Sequence, residues 1–414
     1  MRVEITELTA LPPALTWKAD LLFSGVRYTE ALTEAVAEGA AENFWPHRKV
    51  RDDGPAEFVK IPYLFRLNGA VARVRVSPES AYEVRRGGSG YALWSGGEEL
   101  CAVGFVPAHA WQSFRTSDGF GHMEAGVEQL GDMLVVNLTP GCEYFGARAH
   151  CAFCGYGRYT KRSAVLGQTP GVAPPSDAAL ARLAEVLARA VETGEARHVY
   201  IVGGSALGPE QEVERYVPVI DTARRAVGSR LRVTCGSGAV DRDGSLRFRD
   251  AGADSCCYNL ETWDAEKFEV VCPGKAKYVG RERWLRGLVD AVEVFGFGNV
   301  ASAFVAGVEL VEPGRRMTED EMLASVLEGA EFLLDLGIMP LYSPLWPVEG
   351  TAYALCEGIS ASAYLRLETE LARLRAARRF PVPAWLICRE CSYMLMEVDF
   401  DAAFGIGATA EEGR

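Results

Sequence analysis

The sequence predicts an α/β fold, a partial or full (β/α) barrel of the TIM type, with an N-terminal β-rich α+β domain and a C-terminal extension. Three observations lead there. Between about 131 and 355, six short apolar runs alternate with stretches of helical periodicity. Each strand run is apolar almost throughout, the habit of parallel strands covered on both faces. The chain has 414 residues, 49% of them hydrophobic and 24% charged, enough for a large barrel with additions. Strand–helix alternation of this kind gives a parallel sheet, closed or nearly closed.

Three regions follow: 1–130, 131–355 and 356–414. In the first, a helix is expected over about 27–44. IPYLFRLNG (61–69) and AVARVRV (70–76) read as a hairpin turning at Asn68-Gly69. The alternating pattern continues through 82–105. In the second region the strands are 133–138, 198–204, 230–236, 255–261, 299–309 and 338–345. The intervening helices are 176–193, capped by Ser176, then 209–227, one near 244–251, two near 264–270 and 281–295, and 318–336. The third region holds a helix over 358–379, a CxxC pair and a polar tail. Chemistry in such barrels sits at the carboxyl ends of the strands.

The formal net charge of −13 disfavours a nucleic-acid partner, because an acidic chain repels phosphates. Arg158, Lys161 and Arg162 form a local basic cluster that reads as a solvated loop. No apolar run reaches the roughly 20 residues of a membrane span, so no membrane partner is expected. The N-terminus, with early acids and a double proline, is unlike a signal peptide. The expectation is therefore a cytoplasmic protein with reduced thiols, in which eleven cysteines argue for metal ligation.

Three of those cysteines crowd one loop directly after the first barrel strand: Cys142, Cys151 and Cys154, spaced C-x8-C-x2-C. Three thiolates can hold three irons of a cubane and leave the fourth open to a ligand. The same spacing also suits zinc, completed by His150 or a fourth cysteine. Spacing alone leaves the two about even.

The surrounding segments carry a resemblance. CAFC (151–154) places Phe153 just before the last cysteine; Gly203-Gly204-Ser205 ends the second strand. Tyr258-Asn259-Leu260-Glu261-Thr262 ends the fourth, Phe304-Val305-Ala306-Gly307-Val308-Glu309 lies on the fifth, and Ser343-Pro344-Leu345 closes the sixth. In this order the segments resemble the radical S-adenosylmethionine (SAM) superfamily, most closely its biotin synthase and thiazole-synthase-like branch, over a little more than half the chain. The opening gap of eight departs from the usual three, Ser205 stands where the family has Glu, and Glu309 lies one residue too near Gly307.

The resemblance implies a [4Fe-4S] cluster on Cys142, Cys151 and Cys154. It implies SAM contacts from Phe153, Gly203, Gly204, Ser205, Asn259, Glu261, Gly307 and Leu345. The implied chemistry is reductive cleavage of SAM to methionine and a 5′-deoxyadenosyl radical, then hydrogen abstraction from a small-molecule substrate in specialised biosynthesis. An external electron donor such as flavodoxin or ferredoxin would serve it. No catalytic residue beyond these is identified.

Cys388 and Cys391 are candidates for an auxiliary metal, a second iron–sulfur cluster or zinc, and plain thiols are the alternative. Cys235 falls where biotin synthase carries a ligand of its sulfur-donating cluster, whereas Val202 and Ala301 replace two others. A sulfur-inserting enzyme with an auxiliary cluster is thus one alternative, and a non-catalytic zinc-binding protein another. His122, Arg115 and Asp118 are candidates for the substrate mouth, with an ordinary connecting loop as the plainer reading.

Overall fold

Asn68 and Gly69 both take positive φ, 44° and 90°, in the computed structural model of the chain. That is the condition for the tight two-residue turn expected between the first hairpin's strands. The structure describes residues 11–40, 44–49, 57–88, 90–106, 109–139, 141–156 and 173–407. The basic cluster at Arg158, Lys161 and Arg162 lies outside them. The chain divides into two units. One comprises Met1–Ala110, Ser360–Thr369 and Cys388–Arg414, the other Trp111–Ile359 and Glu370–Ile387.

The first unit contains α1 (Pro13–Ser24), α2 (Glu30–Ala37) and an antiparallel pair, β1 (Phe44–Lys49) with β2 (Glu57–Pro62). Its antiparallel sheet comprises β3 (Leu64–Leu67), β4 (Ala70–Arg73), β5 (Tyr82–Gly87), β6 (Gly90–Ser95) and β7 (Glu98–Phe105), in the order β4-β3-β7-β6-β5. Leu21, Leu32, Phe65, Val84 and Leu93 are fully buried in one core. Helix α1 is not among the elements expected from the sequence; Pro13 occupies its first turn, where its missing N–H costs nothing. Buried Lys18 on α1 donates to the Ser392 and Leu395 carbonyls and to Asp399, at 2.5, 2.6 and 2.6 Å, which ties the C-terminal segment into this unit.

The second unit is built on one sheet. An edge strand, β8 (Val127–Leu130), pairs antiparallel with β9 (Met133–Thr139). Then come β10 (His198–Gly203), β11 (Arg232–Gly236), β12 (Ser255–Cys257), β13 (Val300–Ala306) and β14 (Ile338–Pro344), all parallel to β9 and each beside its predecessor. Among the described residues the sheet runs from β8 to β14 without closing, so the barrel is partial. The connecting helices are α3 (Glu143–Gly146), α4 (Asp177–Glu192), α5 (Pro209–Val227), α6 (Arg242–Asp250), α7 (Ala265–Val271), α8 (Pro273–Tyr278), α9 (Arg281–Phe295) and α10 (Glu319–Asp335). Right-handed crossovers between sequential strands place the helices on one face and leave the other as the lumen. Ser176 caps α4 as expected, accepting from Ala179 N–H.

Strand β12 stops at Cys257, four residues short of its expected end. Glu261, at φ 76°, returns to β13 as an isolated bridge opposite Phe304. Alternation along β12 also sorts its thiols. Tyr258 meets Ser245 on α6 at 2.9 Å, so Cys256 and its register partner Cys235 face the helices. Cys257 and Asn259 face the lumen, Sγ to Oδ1 at 3.1 Å. The position likened to a sulfur-donor ligand, Cys235, therefore points away from the barrel interior.

Candidate active site

Each of the first four parallel strands hands the chain to a loop at its carboxyl end, and those four loops enclose one cavity. It is lined by Cys142, Cys151, Phe153 and Cys154 after β9, by Gly203, Gly204 and Ser205 after β10, by Gly236–Gly238 after β11, and by Asn259 and Glu261 after β12. The three cysteines, the aromatic, the Gly-Gly-Ser segment and the Asn/Glu pair thus meet at one place. Gly307 and Leu345 do not line it. Gly307 takes φ 99° in a turn against Ile359, and Leu345 is buried with its N–H on the Ala306 carbonyl at 2.8 Å. Glu309 is buried and accepts from Thr262 and from the Gly307 N–H, an internal tie of the β13 end.

The cysteine loop is held from two sides. On one side Glu143 N–H donates to the Ser205 carbonyl at 2.9 Å, and Leu207 N–H to the Glu143 carboxylate at 2.6 Å. A side chain at position 204 would put its Cβ 2.4 Å from that of Cys142, so only glycine permits this approach. On the other side Ala152 N–H donates to the Val271 carbonyl at 2.8 Å, and Tyr144 stacks on Tyr278 of α8. Gly274 meets Tyr144 so closely that a Cβ would lie 2.5 Å from the ring.

Two buried ion pairs flank the cavity, and no sequence motif announced either. Arg215 on α5 donates to the Gly204 and Gly141 carbonyls at 2.9 and 3.1 Å and to Glu212. Glu212 accepts from the Ala206 and Gly238 N–H groups at 2.9 and 2.7 Å. One helix thereby fixes the loops after three strands. Burial pushes the Glu212 carboxyl above its ordinary value, against the pull of Arg215. In the second pair Lys275 on α8 donates to the Asn259 carbonyl at 2.5 Å and to Glu261 at 2.6 Å, with its ammonium 4.4 Å from the Trp284 ring centre.

The thiols of the metal-free chain are weak acids. Burial raises Cys142 and pushes Cys154 up to about 12; a hydrogen bond with Cys272, then burial, raises Cys151. A soft cation would displace these protons on binding. The loop residues expected at a substrate mouth are engaged elsewhere. His122 bonds the Val127 carbonyl, Arg115 pairs with Glu124, and Asp118 pairs with Arg182. Cys388 and Cys391 belong to the first unit, with sulfurs 3.3 Å apart and the Cys388 N–H donating to the Cys391 sulfur at 3.1 Å.

No helix among the described residues is long and apolar enough to cross a membrane. No protein-family model matches the sequence. The chain is 22% identical over 296 residues to bacteriochlorophyllide c C-7(1)-hydroxylase of Chlorobaculum limnaeum, a match covering 69% of this chain and 70% of that one. Among solved structures it is similar to methylornithine synthase, with a TM-score of 0.40 and 16% identity over 62% of this chain and 64% of that one, just under two thirds of its length. A radical SAM methyltransferase from Sphaerobacter thermophilus gives 0.40 and 16% over 73% of this chain and 76% of that one. Coproporphyrinogen III oxidase of Escherichia coli gives 0.38 and 13% over 63% and 56%.

Proposed function

We propose that the chain is a radical SAM enzyme acting on a small-molecule substrate in a biosynthetic pathway. The observation that carries this reading is the convergence of Cys142, Cys151 and Cys154 with the Gly-Gly-Ser loop and Glu261 around one cavity at the strand ends. The donor set fits a [4Fe-4S] cluster: three soft thiols border an open space, and His150, which lines the same cavity, is stacked on Phe145. When bound, the cluster supplies the electron that cleaves SAM to methionine and a 5′-deoxyadenosyl radical.

The protein's part is to hold and to exclude. Cys142, Cys151 and Cys154 ligate three irons. Gly203, Gly204 and Ser205 present backbone to the methionyl end of SAM, Asn259 and Glu261 its polar contacts, and Phe153 an apolar wall. The strand-end loops shield the site from water. The relative's name, a hydroxylase of a bacteriochlorophyllide, supports a biosynthetic reaction. A flavodoxin- or ferredoxin-type protein would deliver the electron.

Anaerobic purification tests the reading. The expected protein is brown, binds about four irons and four sulfides at this site, and forms 5′-deoxyadenosine from SAM and dithionite. A colourless protein with stoichiometric zinc and no cleavage of SAM rules it out. A second metal site at Cys388 and Cys391 is favoured by one observation, the amide donating to sulfur within a CxxC turn. Iron and sulfide near eight per chain, falling to about four in Cys388→Ser, would identify an auxiliary cluster.

A further inference from the structure

Lys275 is a lysine only 6% exposed, on a helix that no motif marks, in the wall of the cavity that holds the three cysteines. Its helix is built into the cysteine loop. Gly274 leaves no room for a Cβ against Tyr144 and the Ala149 carbonyl, Tyr278 stacks on Tyr144, and just before the helix Val271, the last residue of α7, accepts the Ala152 N–H at 2.8 Å. The helix that carries the cation therefore cannot shift without moving that loop. Two of its N–H groups are committed to the Asn259 carbonyl and to Glu261, and the Trp284 ring backs it.

Glu261 is equally constrained. It takes φ 76°, a region β-branched and long side chains rarely occupy, yet its N–H and carbonyl are both bonded to β13, to Ala303 and Val305 at 3.0 and 2.8 Å. The pair thus fixes one positive and one negative charge beside the same metal-binding thiols, in a region of low polarity where charges act strongly.

We propose that Lys275 and Glu261 set the reduction potential of the cluster at Cys142, Cys151 and Cys154 in opposite directions, Lys275 raising it and Glu261 lowering it. Reduction adds one electron, so a neighbouring cation stabilises the reduced cluster and a neighbouring anion destabilises it. The Lys275 ammonium is held in place by the Glu261 carboxylate at 2.6 Å and the Asn259 carbonyl at 2.5 Å, partners that favour its charged form. This inference rests on the radical SAM reading of the site.

The test is an EPR-monitored redox titration of the reconstituted, SAM-free protein. Lys275→Met should lower the midpoint by roughly tenfold in the reduction equilibrium, about 59 mV for one electron. Glu261→Gln should raise it by a similar factor, the double variant should fall between them, and Lys275→Arg should stay at the wild-type value. Breaking a buried pair can unfold a protein. Should Lys275→Met fail to fold, Lys275→Gln removes the charge while keeping a donor for the Asn259 carbonyl, and its midpoint takes the place of that of Lys275→Met. A purely structural role gives shifts of one sign or none, and either outcome overturns the proposal. Wild-type protein that assembles no cluster overturns the parent reading; a cluster whose midpoint ignores all these variants overturns this inference alone.

Discussion

The two buried ion pairs beside the cysteines look alike in composition and differ in what their charges touch. Arg215 and Glu212 turn to backbone: four main-chain groups from the loops after β9, β10 and β11 end on them. Lys275 and Glu261 line the cavity itself, with one main-chain partner at Asn259. The first pair acts as a knot between loops, the second as charge at the site. Burial alone does not distinguish them, since Arg215 is 1% and Lys275 6% exposed; the identity of the partners does.

The largest effect expected sets the baseline for both pairs. Cys151→Ala or Cys154→Ala should reduce iron in the anaerobic protein from about four per chain to near zero and abolish 5′-deoxyadenosine formation. Retention of a full cluster in either would remove the ligand set on which the comparison stands. Next, Arg215→Met should lower the unfolding free energy of the metal-free protein by about 3–5 kcal/mol, measured by urea denaturation. Unlike most buried pairs, Glu212 and Arg215 should not be rescued by replacing both. The double variant leaves loop N–H and C=O groups without partners at about 1–3 kcal/mol each. Cluster that still assembles in Arg215→Met should titrate at the wild-type midpoint, the reverse of the Lys275 result.

Smaller changes sharpen the picture. Gly204→Ala forces the glycine loop off Cys142 and should cost about 1–3 kcal/mol, with cluster occupancy reduced in proportion. In the metal-free protein the raised Cys154 thiol gives a stability term that is complete below pH 9 and lost as pH rises toward about 12. Urea midpoints at about pH 8 and about pH 10.5 should differ accordingly, and Cys154→Ala should reduce the difference, leaving the share of the other raised thiols such as Cys142 and Cys151. Ser176→Ala removes one cap on α4 and should cost only about 1 kcal/mol, with the spectrum of the bound cluster unchanged.

The six parallel strands were legible as short, almost continuous apolar runs, and the major helices between them by their period. The loop residues Cys142, Cys151, Phe153, Cys154, Gly203, Gly204, Ser205, Asn259 and Glu261 were legible because they lie in short local motifs. The charge pairs were not, since their partners are brought together only by the sheet's order. A signal for one of them was present: Glu212, Arg215, Tyr216 and Val219 fall on a single helical stripe, so two ionisable groups sit on the face that α5 buries. Lys275 offered less. Its helix is six residues long, too short for a period to declare itself, and it was merged into the loop before α9. Gly307 and Leu345 were singled out by order along the chain, which says nothing of whether a backbone position opens onto a cavity.

The approach of Gly204 to Cys142 makes the metal loop and the cofactor loop neighbours with no slack between them. A displacement then cannot stay local: any movement of Cys142 also displaces the glycine loop proposed to receive the methionyl end of SAM.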